Sequence, residues 1–214
     1  MSGHVVGSIS KLHQDAQFIN QESIEWNKLV ATVYEAINSL TSTWEGEARS
    51  EYVTKVNDAQ PELVGIANLM NGLAANLESV SNMYKITEEG GDPRQAEIID
   101  PKKFSLTDMV SGVGGNDSSF DSNECESKSS EIIDAATKLS SILENVRSSI
   151  DSINSNYTSD FGIQLKRYLD GTSEKCEEHI RAIKAFGNYL VDVVAPKYSY
   201  IDSAIDEMNS NSNI

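Results

Sequence analysis

The sequence predicts an all-α protein: two long antiparallel helical hairpins in tandem, packing on each other as a four-helix bundle. Three observations carry that expectation. Apolar residues recur in alternating steps of four and three over stretches far longer than an ordinary globular helix. Only four prolines interrupt 214 residues. The glycines and polar turn residues gather in one internal stretch instead of punctuating the chain at the short intervals of a β fold.

The first element carries Val5, Ile9, Leu12, Ala16, Ile19, Ser23, Trp26, Val30, Val33, Ile37, Leu40 and Trp44 on one seam, with Ser23 its single polar member. At about 1.5 Å per residue such a helix is a rod of about 54 Å. A bend follows over residues 41–47. Ser42 with Glu45 fits a capping box there, and Glu45, Glu47 and Glu51 suit the positive end of a helix dipole. The second seam is Ala48, Tyr52, Val56, Ala59, Leu63, Ile66, Met70, Leu73, Leu77, Val80 and Tyr84. Pro61 inside it removes a backbone donor, so a kink or a restart in two pieces is expected. The short connection makes the two rods antiparallel neighbours.

From Glu89 to about Ser127 the periodicity dissolves. Gly90-Gly91-Asp92-Pro93, Pro101 and Gly112, Gly114 and Gly115 read as a connector. The seam returns at Ile132, Ala136, Leu139, Leu143, Val146, Ile150, Ile153 and Tyr157. A second bend at residues 158–162 offers Asp160 as an N-cap. The last seam runs Leu165, Leu169, Cys176, Ile180, Ile183, Phe186, Leu190, Val193 or Val194, Tyr198, Ile201 and Ile205, with Pro196 late in the run and residues 209–214 reading as a frayed end. The organisation is therefore a first hairpin over 1–89, a linker over 90–126 and a second, degenerate hairpin over 127–214.

Seventeen basic against thirty-three acidic residues give a formal charge of −16, which repels phosphate backbones and argues against nucleic acid as a partner. The apolar runs are too short for a membrane span, and the N-terminal residues lack the basic and apolar regions of a cleaved signal peptide. Cys125 and Cys176 fall on helical positions separated by nearly 30 Å on an antiparallel hairpin, beyond the ~7 Å limit for a bridge, so two free thiols are expected. Cys176-Glu-Glu-His179 is half of a zinc spacing without its second half, and Gly112-Val-Gly114-Gly115 lacks the lysine of a phosphate loop. No acid, base and nucleophile assemble. The expectation is no enzyme, no metal and no cofactor.

What remains are the hairpin ends. Trp44-Glu45-Gly46 places a seam aromatic and a turn-permitting glycine at the first bend. Forty positions after Trp44, Tyr84-Lys-Ile-Thr-Glu88 puts an aromatic and a carboxylate one helical turn apart on one face. Tyr198-Ser-Tyr-Ile-Asp202 repeats that ending forty-one positions after Tyr157, the seam aromatic at the second bend. These motifs resemble the WXG family, the small helical-hairpin substrates of bacterial type VII (ESX) secretion. Trp44 and Gly46 match its bend, Tyr84 with Glu88 its trailing signal, and Tyr198 with Asp202 that signal in the second half. The second bend, Tyr157-Thr-Ser-Asp-Phe161-Gly162, departs from the family by losing the tryptophan and its glycine spacing.

The resemblance implies a dimer-like four-helix bundle within one chain. It implies a monomer exported without a cleaved signal peptide, cytoplasmic before export and secreted after it. It further implies recognition by the type VII machinery and its ATPase through a bend and a trailing signal brought together from different hairpins, Trp44 and Gly46 with Tyr198 and Asp202. The rival expectation is a cytosolic adaptor or chaperone that pairs with another WXG-like hairpin or with the helical targeting domain of a secreted toxin, which an exposed apolar stripe would favour. A membrane-inserting hairpin is disfavoured by the charge.

Overall fold

The computed structural model describes residues 9–43, 47–106, 121–156 and 160–212. Among them there is no strand. The helices are α1 (Ile9–Thr43), α2 (Glu47–Glu88), α3 (Ser122–Asn156), α4 (Asp160–Tyr189) and α5 (Ala195–Ser212), with a π-helical turn at Leu190–Val194 joining α4 to α5. No helix among the described residues is long and apolar enough to cross a membrane.

The seam of α1 is buried at every described position from Leu12 to Leu40, Ser23 included. That hydroxyl costs little to bury because it is fully engaged: Ser23 Oγ donates to the Asn20 carbonyl at 2.7 Å and accepts from Asn71 Nδ2 at 3.4 Å. α1 and α2 are antiparallel in register about residue 45. Ser81 Oγ donates to the Ile9 carbonyl (3.5 Å), His13 Nδ1 pairs with Glu78 (2.7 Å), Asn71 Nδ2 donates to Asn20 (2.8 Å), and Trp26 Nε1 donates to the Leu63 carbonyl (2.7 Å). Tyr34 Oη, donating to the Val56 carbonyl, continues the same ladder. Each pair brackets Glu45 at nearly equal distances along the chain, the register that a two-rod hairpin requires.

Three expectations need correction. α1 continues through Thr43, so Ser42 lies inside it and does not cap α2. α2 is one uninterrupted helix through Pro61, not two pieces. Val80, placed on the seam, is 37% exposed, and the buried positions at that end of α2 are Leu77, Ser79 and Ser81 instead. α2 then stops on a Schellman motif. Gly90, at φ 80°, takes the left-handed position, the Gly90 amide donates to the Thr87 carbonyl, and the Gly91 amide donates to the Ile86 carbonyl. Past Asp92, which caps a short 3₁₀ turn at Pro93–Gln95, the chain folds back along α2.

α3 begins at Ser122, earlier than the apolar pattern marks it, because Asp121 caps it. The Asp121 carboxylate accepts from the amides of Asn123 (2.8 Å) and Glu124 (3.3 Å). Its seam from Ile132 to Ile153 is buried as read. α4 approaches α3 closely at Gly187, where a Cβ would meet Ile133 Cγ1 at 2.6 Å and the Ser129 carbonyl at 3.3 Å. The fourth seam is buried at Cys176, Ile180, Ile183 and Leu190, with Phe186 half-buried, and then slips. Within the π turn the Ala195 amide reaches back to the Leu190 carbonyl, inserting one residue. Val194 is buried and Val193 only half-buried, while Ile201, expected on the seam, is 48% exposed. α5 continues as helix to Ser212, past the frayed end expected at residue 209. Both cysteines are free and buried.

Contacts divide the chain into two compact units. The first comprises Met1–Lys28, Pro61–Leu106 and Leu139–Glu178; the second comprises Leu29–Gln60, Thr107–Lys138 and His179–Ile214. Each unit draws on both hairpins, so the hairpins pack on each other within one chain. In the first, Glu22 is hydrogen-bonded by Asn145, and Lys175 Nζ lies 3.9 Å from Glu62. In the second, Ser39 Oγ donates to Glu124 at 2.6 Å.

Candidate functional site

The sequence directs attention to the hairpin ends. Trp44 and Gly46 lie outside the described residues; the helix ends that flank them, Thr43 and Glu47, belong to the second compact unit. Tyr84 sits half-buried in the last two turns of α2, with exposed Glu88 as its terminal residue. One helical turn separates them on a shared face. Both belong to the first unit, together with Leu139–Glu178, the stretch that spans the second bend. Tyr198 is half-buried in the first turn of α5, and Asp202 lies one turn further on the same helix, with its side chain outside the described ones. Both belong to the second unit, with the helix ends of the first bend. Each unit therefore contains the bend flanks of one hairpin and the aromatic–acid ending of the other.

The two endings differ in surroundings. After Glu88 the chain turns back at Gly90 and Gly91, where a Cβ on Gly91 would meet Ile86 Cγ2 at 2.8 Å. After Tyr198 the helix runs on and exposes apolar side chains among polar ones. Tyr200 is 76% exposed and Met208 69%, and Tyr200, Ile201, Val193 and Pro196 line an open groove with Asp192 and Lys197. Sequence reasoning missed Tyr200 and mislaid Ile201. The signal was available in the ambiguity between Val193 and Val194 next to Pro196, since a widened turn before a proline rotates everything after it by about 100°.

Burial pushes the Cys176 thiol up to about 12, with Glu62 and Glu177 adding to the effect, so this sulfur stays protonated and inert. Burial also raises the Cys125 thiol. Desolvation raises Glu22, with Glu25 beside it, against a hydrogen bond from Asn145 that lowers it. Arg147 donates to Glu177 and to Ser173, tying α3 to α4 inside the first unit. Among the described residues no three His, Cys, Asp or Glu side chains gather as a metal site.

No curated protein and no solved structure matches the chain. Residues 8–89 match the family model WXG100, described as proteins of 100 residues with WXG. That match covers α1, the first bend and the whole of α2 with Tyr84 and Glu88. The first hairpin is therefore similar to the WXG family, whose members work with type VII secretion systems.

Proposed function

We propose that the chain is a tandem WXG-like protein, a single-chain counterpart of a WXG dimer, exported as a substrate or co-secreted helper of a type VII system. It acts through protein–protein contacts and carries its export signal in the folded bundle. The observation that supports this reading best is the crossing of the hairpins: the compact unit with the flanks of the first bend also contains Tyr198 and α5. Fusion makes pairing intramolecular, so one-to-one stoichiometry is guaranteed at any concentration. The signal read by the secretion ATPase is then Trp44 and Gly46 with Tyr198 and Asp202, and the Tyr84–Glu88 copy is secondary.

The test is export from a type VII-competent strain. Tyr198→Ala abolishes appearance of the chain in the medium, while Tyr84→Ala leaves it near wild type, both proteins keeping full helix content. Normal export of Tyr198→Ala with loss of Tyr84→Ala overturns the assignment of the signal. An adaptor role is favoured by one observation, the exposed Tyr189, Tyr200, Ile201 and Met208 along the end of the second hairpin. A chain that stays cytosolic while a partner hairpin is exported only in its presence selects that reading.

A further inference from the structure

From Pro196 onward α5 presents two unlike arcs to solvent. At about 100° per residue, Ser199, Ser203 and Asp206 share one side, and all three are exposed and polar. The neighbouring arc carries Pro196, Lys197, Tyr200, Ala204, Glu207 and Met208, exposed except for half-buried Ala204. The two halves of this second arc differ in shape. The first half is hollow: Val193, Pro196, Lys197, Tyr200 and Ile201 line an open groove of about 470 Å³, with Asp192 at its far end. The second half projects, with Met208 69% exposed and Glu207 beside it.

A helix that carries a groove and then a ridge is complementary to itself run backwards. Two copies of α5 laid antiparallel about a two-fold axis level with Asp202 bring the halves together. Tyr200, 76% exposed, then lies opposite Ala204 of the second copy, a large ring over a methyl group. Pro196 lies opposite Met208, which enters the groove. Lys197 lies opposite Glu207, and every contact occurs twice. Both charges are exposed, and neither has an ion-pair partner among the described residues. Parallel copies would set Lys197 against Lys197 and Glu207 against Glu207, so the charges select the antiparallel order. Asp192 stands more than a helical turn before Lys197, where it opposes the last turn of the second α5, past Glu207.

We propose that this arc of α5 is a self-recognition surface, and that its occupant is the same arc of a second copy of the chain, packed antiparallel. The arc lies about 200° around the helix from Tyr198, so it does not rest on the export reading. One pair of short helices buries less than the about 1,200 Å² of a stable complex, so the association is weak and closes at two copies. The charge of −16 on each copy opposes it at long range.

Sedimentation velocity of the full chain over rising concentration tests this, with helix content followed by circular dichroism. Wild type moves from the monomer toward twice the monomer mass as the concentration approaches millimolar. Tyr200→Glu removes the association and keeps full helix content, because this side chain touches more solvent than protein. Lys197→Glu and Glu207→Lys each set like charges opposite one another and weaken association about tenfold. Mixing these two variants, or combining both changes in one chain, restores wild-type association. A wild type that stays monomeric near millimolar concentration overturns the proposal and leaves the face to a different partner. Association that ignores Tyr200→Glu, is indifferent to the single charge reversals, or is not restored in their mixture overturns it as well.

Discussion

Two prolines in long helices meet different fates. Pro61 sits in the middle of α2, and the helix runs through it without a break. Pro196 sits beyond α4, and the helix opens into a π turn immediately before it. Both lack the amide donor, and both set their ring against the carbonyl four residues back. The difference lies in what surrounds them. Around Pro61, α1 offers two buried donors, Trp26 to the Leu63 carbonyl and Tyr34 to the Val56 carbonyl, one on each side of the proline. Those bonds and the buried seam residues on either side, Val56, Ala59, Leu63 and Ile66, hold α2 to its course. At Pro196 the helix is leaving its packing, and Tyr200, Ile201 and Met208 are already exposed. There the backbone relieves the clash by widening. A proline distorts a helix as far as the packing around it permits.

That comparison is open to experiment, and the largest effect belongs to the brace. Trp26 is fully buried and is both wedge and donor. Trp26→Ala lowers stability by about 3–5 kcal/mol in a urea melt. A loss under 1 kcal/mol would mean that α2 needs no such brace. The prolines themselves come next. Since α2 stays helical at Pro61, Pro61→Ala gains up to about 3 kcal/mol from restored propensity. Pro196→Ala gains clearly less, because the π turn has already relieved the ring. Equal gains at the two sites, measured in parallel melts, would erase the distinction. The smallest effect is Tyr34→Phe, which keeps the ring and removes one hydrogen bond, at about 1 kcal/mol. Its amide signature is local: faster hydrogen exchange in α2 near Val56, with α4 and α5 unchanged.

Much of this architecture is legible in the residues alone. Ile19, Trp26, Val33 and Ile37 lie on one seam because helical periodicity converts spacing into a face, and that conversion needs no knowledge of the partner. The same arithmetic places Ile132 through Ile153 correctly, and the short connection makes α1 and α2 antiparallel neighbours. The likeness of the first hairpin to the WXG family follows from Trp44-Glu45-Gly46 and Tyr84-Lys-Ile-Thr-Glu88, since motifs at set distances in a hairpin survive without any view of the fold. Periodicity fails where a local choice has a near-equal alternative. The periodicity puts Ile201 on a seam that the π turn rotates away, and Ser42 reads as a cap where helix continues.

The docked stretch of the connector, residues 97–104, was the least legible. Its glycines and prolines read as connector, while the residues that hold it, Asn68, Ser79 and Asn82, are polar positions on α2 whose spacing announces nothing until an extended segment lies across them.

By itself, then, the sequence determined the helices, most of their seams, the hairpin pairing and the likeness of the first half to the WXG family, because these depend on local periodicity and on motifs within one hairpin. The tertiary structure decided which hairpin ends share a compact unit, how each proline is accommodated and where the connector docks. Those outcomes depend on contacts between residues far apart in the chain, and no local pattern encodes the neighbour that a side chain will meet.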